Sequence, residues 1–245
     1  MTKINVTFGV IGVLALVGAL TVTVGSGITV TETTSLQGIE EIRLQGQGQI
    51  YLRQGETESL RIEAEDNIMP LIETIASGKS LKLKLNAGIF RSVIPRKGIK
   101  YYITLKKPRQ VVISGSASLN AESISVDEFT TRINGSSKCR INNINANRIL
   151  SVINGTGDFY VSGNVLEQGV EISGSGNYRG RDLVSDAARV EISGSGKTTI
   201  HAIAKLDVKI SGSGKVIYHG SPSINQKVSG SGSITSGDGW NPNYN

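Results

Sequence analysis

Gly194-Ser195-Gly196-Lys197-Thr198 ends like a phosphate-binding loop. Such a loop needs a glycine five residues before its Gly-Lys pair and a helix after it, so that N–H groups aim at phosphate. Position 191 is Glu, and Thr198-Thr199-Ile200 is β-branched, a strand signal. The same Gly-Ser-Gly-Lys recurs at Gly212–Lys215, so it belongs to a repeat rather than to a nucleotide site. Glu171 and Glu191 each stand two residues before the Ser of a Ser-Gly repeat pair, Ser173 and Ser193. On adjacent coils they would lie about 5 Å apart, near the carboxylate spacing of retaining glycosidases. Lys209 and Lys227 hold that position in the next two copies, which favours a surface ladder of charge over an acid–base pair. His201 and His219 each follow a glycine (Gly196, Gly214) by five residues and are expected to be vertical neighbours, without a third ligand for a metal. Cys139, the single cysteine, excludes an internal disulfide and has no base near it, so a small core residue is expected. No residue is assigned a catalytic, cofactor-binding or metal-ligating role, and no cofactor is called for.

The elements that carry these residues repeat. ISGSAS (113–118), INGSSK (133–138), INGTGD (153–158), ISGSGN (172–177), ISGSGK (192–197), ISGSGK (210–215) and VSGSGS (228–233) start 20, 20, 19, 20, 18 and 18 residues apart. Between copies, Val190 and Ile192 alternate with Arg189, Glu191 and Ser193, and Leu206, Val208 and Ile210 with Asp207 and Lys209. Alternation of period two makes strands with one buried face. The period is too short for a propeller blade, and no helical spacing is present, so a stacked β-coil remains. The predicted fold is an all-β right-handed parallel β-helix of 18–20-residue coils, with an N-terminal β-rich cap containing one short helix. Glycine turns the same corner in each coil, Ile or Val stacks inside, and Ser or Thr bonds to its neighbours above and below.

Composition agrees. Glycine supplies 30 of 245 residues with only 5 prolines, which fits neither collagen nor a Pro-rich tail. Lys and Arg number 26 against 20 Asp and Glu, for a net charge of +6. The densest basic stretch runs from Arg91 to Arg109 around Tyr101 and Tyr102. It is expected to be a solvated strand face and loop, the sharper reading being a phosphate or anionic-glycan patch.

Four segments are expected: 1–27, a signal peptide or single membrane anchor; 28–112, a β-rich region with a short helix; 113–236, the solenoid repeats; and 237–245, a C-terminal cap. Ile4 to Val24 carries no charge and is long enough to cross a bilayer as a helix. Lys3 precedes it, and Gly25, Ser26 and Gly27 offer a cleavage site. Ile39–Leu52, with Gly46 and Gly48, reads as an early, diverged coil. Asp66 is expected to cap a helix through Ile68, Met69, Leu71, Ile72 and Ile75, with Pro70 in its first turn. Trp240 and Pro242 are expected to cap the last coil rather than stack on a ligand.

The G-x-G strand at Gly46, the Asn67-Ile-Met-Pro-Leu-Ile segment, the strand–Pro108–strand entry and the I-S-G-S-G series resemble the auto-transporter adhesin family with a head GIN domain. The resemblance covers roughly residues 36–235. It implies an exported, β-helical, non-enzymatic protein of the bacterial cell envelope, whether periplasm, outer membrane or cell surface. Asn134 and Asn154 depart from the family's Ser, and copies 113–118 and 133–138 lack the second Gly. The function expected is adhesin-like binding or a structural role, and the alternative is a polysaccharide-acting β-helix enzyme. The partners expected are glycans or envelope and surface proteins, with no nucleic acid and membrane contact only through the N-terminal segment.

Overall fold

Glycine recurs in this chain because one backbone contact recurs. Gly46, Gly115, Gly135, Gly155, Gly174, Gly194, Gly212 and Gly230 all have φ between +116° and +134°, a region in which a Cβ is strained. From Gly115 onward, each sits so close to the carbonyl oxygen of the glycine one rung before it that an added Cβ would collide with that oxygen. The corner is therefore a continuous column of glycines. The ladder carries on through it, because the N–H of Ser195 donates to Gly174 O and that of Ser213 to Gly194 O, both at 2.9 Å.

The computed structural model describes residues 21–86 and 91–238. Its strands are β1 Thr21–Val24, β2 Thr29–Ser35, β3 Glu41–Gln54, β4 Ser59–Glu65, β5 Ile72–Ser77, β6 Ser80–Leu85, β7 Arg91–Ile94, β8 Lys100–Leu105 and β9 Gln110–Ala121. They continue as β10 Ile124–Gly135, β11 Lys138–Gly155, β12 Asp158–Gly174, β13 Asn177–Gly194, β14 Lys197–Gly212, β15 Lys215–His219, β16 Ser223–Ser229 and β17 Ser233–Ser236. From β9 to β17 every pairing is parallel and joins one coil to the next. The fold is a parallel β-solenoid. β3 is its first rung, paired with β9 from Glu41↔Gln110 to Leu52↔Ala121, so Gly46 falls in register with Gly115. The chain between them adds β8 beside β3, and with the preceding β2 it closes that end through antiparallel pairings β2–β4, β4–β8 and β5–β6.

The interior consists of ladders of like residues. Leu44, Ile113, Ile133, Ile153, Ile172, Ile192 and Ile210 are in register on successive rungs and buried. Each contributes roughly 1.5–3 kcal/mol by leaving water. The second glycine of each copy completes this packing: a Cβ at Gly196 would lie 2.6 Å from the Ile172 side chain. Where that glycine is missing, Ser137 is buried instead, donating to Gly115 O and accepting from Ala117 N. Facing the aliphatic ladder, Phe159 and Tyr178 stack at 5.6 Å.

The helix expected after Asp66 is not formed. Met69–Leu71 is a single 3₁₀ turn with no side-chain cap, and Ile72–Ser77 continues as β5, antiparallel to β6. Ile72, Thr74 and Ile75 are β-branched and prefer the strand, and Leu81 and Leu83 of β6 supply the buried face beside it. The span expected over residues 4–24 lies mostly outside the described residues, and its last four residues form β1, parallel to β7. Among the described residues no helix is long and apolar enough to cross a membrane. Gly25, Ser26 and Gly27 are held to the body: Gly25 N donates to Ile94 O, Ser26 N to Asn67 Oδ1 and Gly27 N to the buried Glu65 carboxylate. Trp240 and Pro242 lie outside the described residues.

Candidate ligand-binding face

Counting five residues on from each corner glycine gives Tyr51, Asn120, Arg140, Tyr160, Arg179, Thr199, Ile217 and Thr235. Period-two alternation turns all of them outward, and strand register places them in one row along the solenoid. At the closed end the row is extended by Tyr102 of β8, paired with Tyr51, and by Arg61 of β4, paired with Tyr102. The outward row therefore reads Arg61, Tyr102, Tyr51, Asn120, Arg140, Tyr160, Arg179.

These side chains form two stacks. The Arg61 guanidinium lies 3.9 Å over the Tyr102 ring, and Tyr102 stacks on Tyr51 at 4.9 Å and 14°. Arg140 lies 4.4 Å over the Tyr160 ring. Such contacts hold flat groups edge-out from the sheet and add about 0.5–1 kcal/mol each at exposed sites. Tyr102 is fixed further by donating its hydroxyl to Glu63 at 3.2 Å, and Tyr160 by donating to Asp182 at 3.1 Å. Asn120, with a short side chain, separates the two stacks. Beside Tyr51 the wall is concave: a groove of about 890 Å³ is lined by Tyr51, Arg53, Arg61, Tyr102, Asn120 and Asn142 among others, with Glu122 its one carboxylate.

The face is basic. The neighbouring outward row carries Lys100, Lys138, Lys197 and Lys215 against Glu63 and Asp158, and the stacked row carries Arg61, Arg140 and Arg179 with no carboxylate. The Arg91–Arg109 stretch is divided by alternation: Tyr101 is buried and Tyr102 faces out. Burial raises the Tyr101 hydroxyl above its ordinary pKa.

The residues singled out from the sequence fall elsewhere. Glu171, Glu191, Lys209 and Lys227 are in register on successive rungs of another wall, a charge ladder as expected. Glu191 is bound by Arg189 at 2.5 Å, and its hydrogen bond holds the Arg189 guanidinium above its usual pKa. His201 and His219 are vertical neighbours with ring centres 6.4 Å apart. His219 is buried and its Nδ1 meets Asp238 Oδ1 at 2.6 Å. That bond, with the Gly220 N–H, holds the Asp238 carboxyl below the usual carboxylate range. Among the described residues no group of three ligating side chains could hold a metal. Cys139 is a core residue, and burial pushes its thiol up to about 12. Lys197 opens a strand rather than a helix, and its backbone N–H donates to Gly176 O at 3.0 Å, so that N–H belongs to the ladder and not to a phosphate cradle.

No curated protein matches the chain. Solved structures do. A putative adhesin from Bacteroides fragilis superposes with a TM-score of 0.81 at 23% identity, over 87% of this chain and 99% of that one. A putative lipid binding protein from Parabacteroides distasonis gives 0.70 at 21%, over 88% and 99%. A putative adhesin from Parabacteroides merdae gives 0.67 at 18%, also over 88% and 99%. At these identities the likeness is one of fold. The family model described as putative auto-transporter adhesin, head GIN domain, matches residues 39–222, from the strand of Gly46 through the coils, and the chain belongs to that family.

Proposed function

We propose that this chain is a non-catalytic, exported module of the bacterial cell envelope that holds an extended polymer, glycan or protein, along the outer face of its solenoid. The segment before β1 directs export, and the coils are the binding body. The observation that carries this reading is the outward row from Arg61 to Arg179, in which flat aromatic and cationic groups stack on both sides of Asn120. A rigid ladder of contacts at about 4.8 Å spacing suits a ligand that is itself repetitive. The carboxylates argue against the enzymatic alternative. General acid–base work needs one raised carboxyl beside an ionised one. Glu191 is paired with Arg189 and Glu171 stands on an exposed surface, so the two do not form an enclosed pair of facing carboxylates.

The test is a binding screen of the full chain against envelope glycans and envelope extracts, with product analysis on every ligand found. Binding without turnover is expected, unchanged in Glu171→Gln and Glu191→Gln. Turnover lost in either variant would overturn the reading.

A further inference from the structure

Resting on that reading, we infer that the polymer is an acidic polysaccharide, and that one of its sugar rings seats in the slot above Asn120, between Tyr51 and Arg140. Tyr51 ends one stack: Tyr102 covers one face of its ring, and the other is turned toward the Asn120 rung. Arg140 begins the next stack, and its partner ring, Tyr160, lies on its far side. Two rungs separate Tyr51 from Arg140, about 9.6 Å at 4.8 Å per rung. A flat ring sandwiched at van der Waals contact needs only about 7–8 Å. A puckered pyranose is thicker and fills the space better than a nucleobase.

The polar groups fit a sugar acid. Asn120 and Asn142 line the groove and offer amides, each with donors and an acceptor, for ring hydroxyls. Arg53 and Arg140 are exposed and make no ion pair among the described residues, so their guanidinium forks are available to carboxylates. Arg61 is partly neutralised by Glu63, and Glu122 is the one opposing carboxylate lining the groove. Further along, Arg179 and the lysine row continue the positive field, which favours a polymer with charge on successive residues over a single acidic sugar.

The experiment uses the full chain with polymannuronate and polygalacturonate, and methyl-esterified polygalacturonate as the neutral counterpart of identical backbone. At least one polyuronate is expected to bind, with affinity falling as salt rises. Esterification should weaken binding at least about tenfold, the size of one or two charge-assisted hydrogen bonds. Tyr51→Ala should weaken it about five- to tenfold, while Tyr51→Phe retains it. Asn120→Phe should abolish binding by filling the slot while every charge remains, and Lys209→Ala, on another wall, should change nothing. Thermal melts by circular dichroism confirm that the variants fold. The inference is overturned if the esterified polymer binds equally, if Asn120→Phe binds normally, or if single-stranded DNA or anionic lipid vesicles bind as tightly with the same Tyr51 dependence. Capture of a neutral glycan or an envelope protein, with no polyuronate bound, would overturn this inference and leave the module reading standing. Silence toward every envelope polymer and protein would overturn both.

Discussion

Gly194 rests on the carbonyl oxygen of Gly174, and a Cβ built on it would lie 2.5 Å from that oxygen. The φ of Gly194 is +123°, where any side chain adds strain of its own. Gly194→Val is therefore expected to destabilise the solenoid by about 3 kcal/mol or more. Lys197→Ala, three residues away on an exposed side chain, should stay within about 0.5 kcal/mol of the parent. Urea unfolding followed by circular dichroism separates the two, and equal midpoints would show that the glycine column does not hold the coils.

A second prediction concerns a polar knot in the core around Gln168. Gln168 is buried, donates to Ser185 Oγ at 2.6 Å and His201 O at 2.9 Å, and accepts from Tyr178 at 3.3 Å. Gln168→Leu keeps the volume but removes those partners. A loss of about 1–3 kcal/mol is expected, because the groups left behind stay out of water. A variant as stable as the parent would mean that the knot fixes only the register of the coils.

The third prediction is a pH dependence at the far end. The carboxyl of Asp238 is held low in the folded chain by His219 and the Gly220 N–H. Its contribution is thus fully present above the ordinary carboxyl value, near pH 4, and lost as pH falls through the lower folded value. Asp238→Asn should lower the melting temperature at neutral pH, and the gap to the parent should close in acid. A gap that persists unchanged below about pH 3 would rule out the carboxylate as its source.

The sequence shows the corners and the core plainly, because a rung repeats the same demand: glycine where φ is positive, Ile or Val on the inner face. The ladder from Glu171 to Lys227 and the pairing of His201 with His219 follow from the same period. The stretch after Asp66 misleads because Ile68, Met69, Leu71, Ile72 and Ile75 are apolar at spacings both a helix and a strand can use. The antiparallel ladder with β6 decides it. The stacked row is harder to see. Asn120, Arg140, Tyr160 and Arg179 share a fixed offset from their glycines, a signal present in the sequence, but they differ in type and so do not register as a motif. Arg61 and Tyr102 obey no period at all. They reach the row through antiparallel and parallel pairings at the closed end, which only the three-dimensional register supplies.

The glycine column has a consequence for how such a chain can change. Every junction from Gly115 to Gly230 makes the same backbone contact, so a coil is defined by its borders rather than by its contents. An in-frame loss or duplication of one coil rejoins like with like and leaves the closed end untouched. Each such event moves the far end by about 4.8 Å. The length of the outer face is thereby free to drift in whole rungs, like a ruler cut or spliced only at its marks.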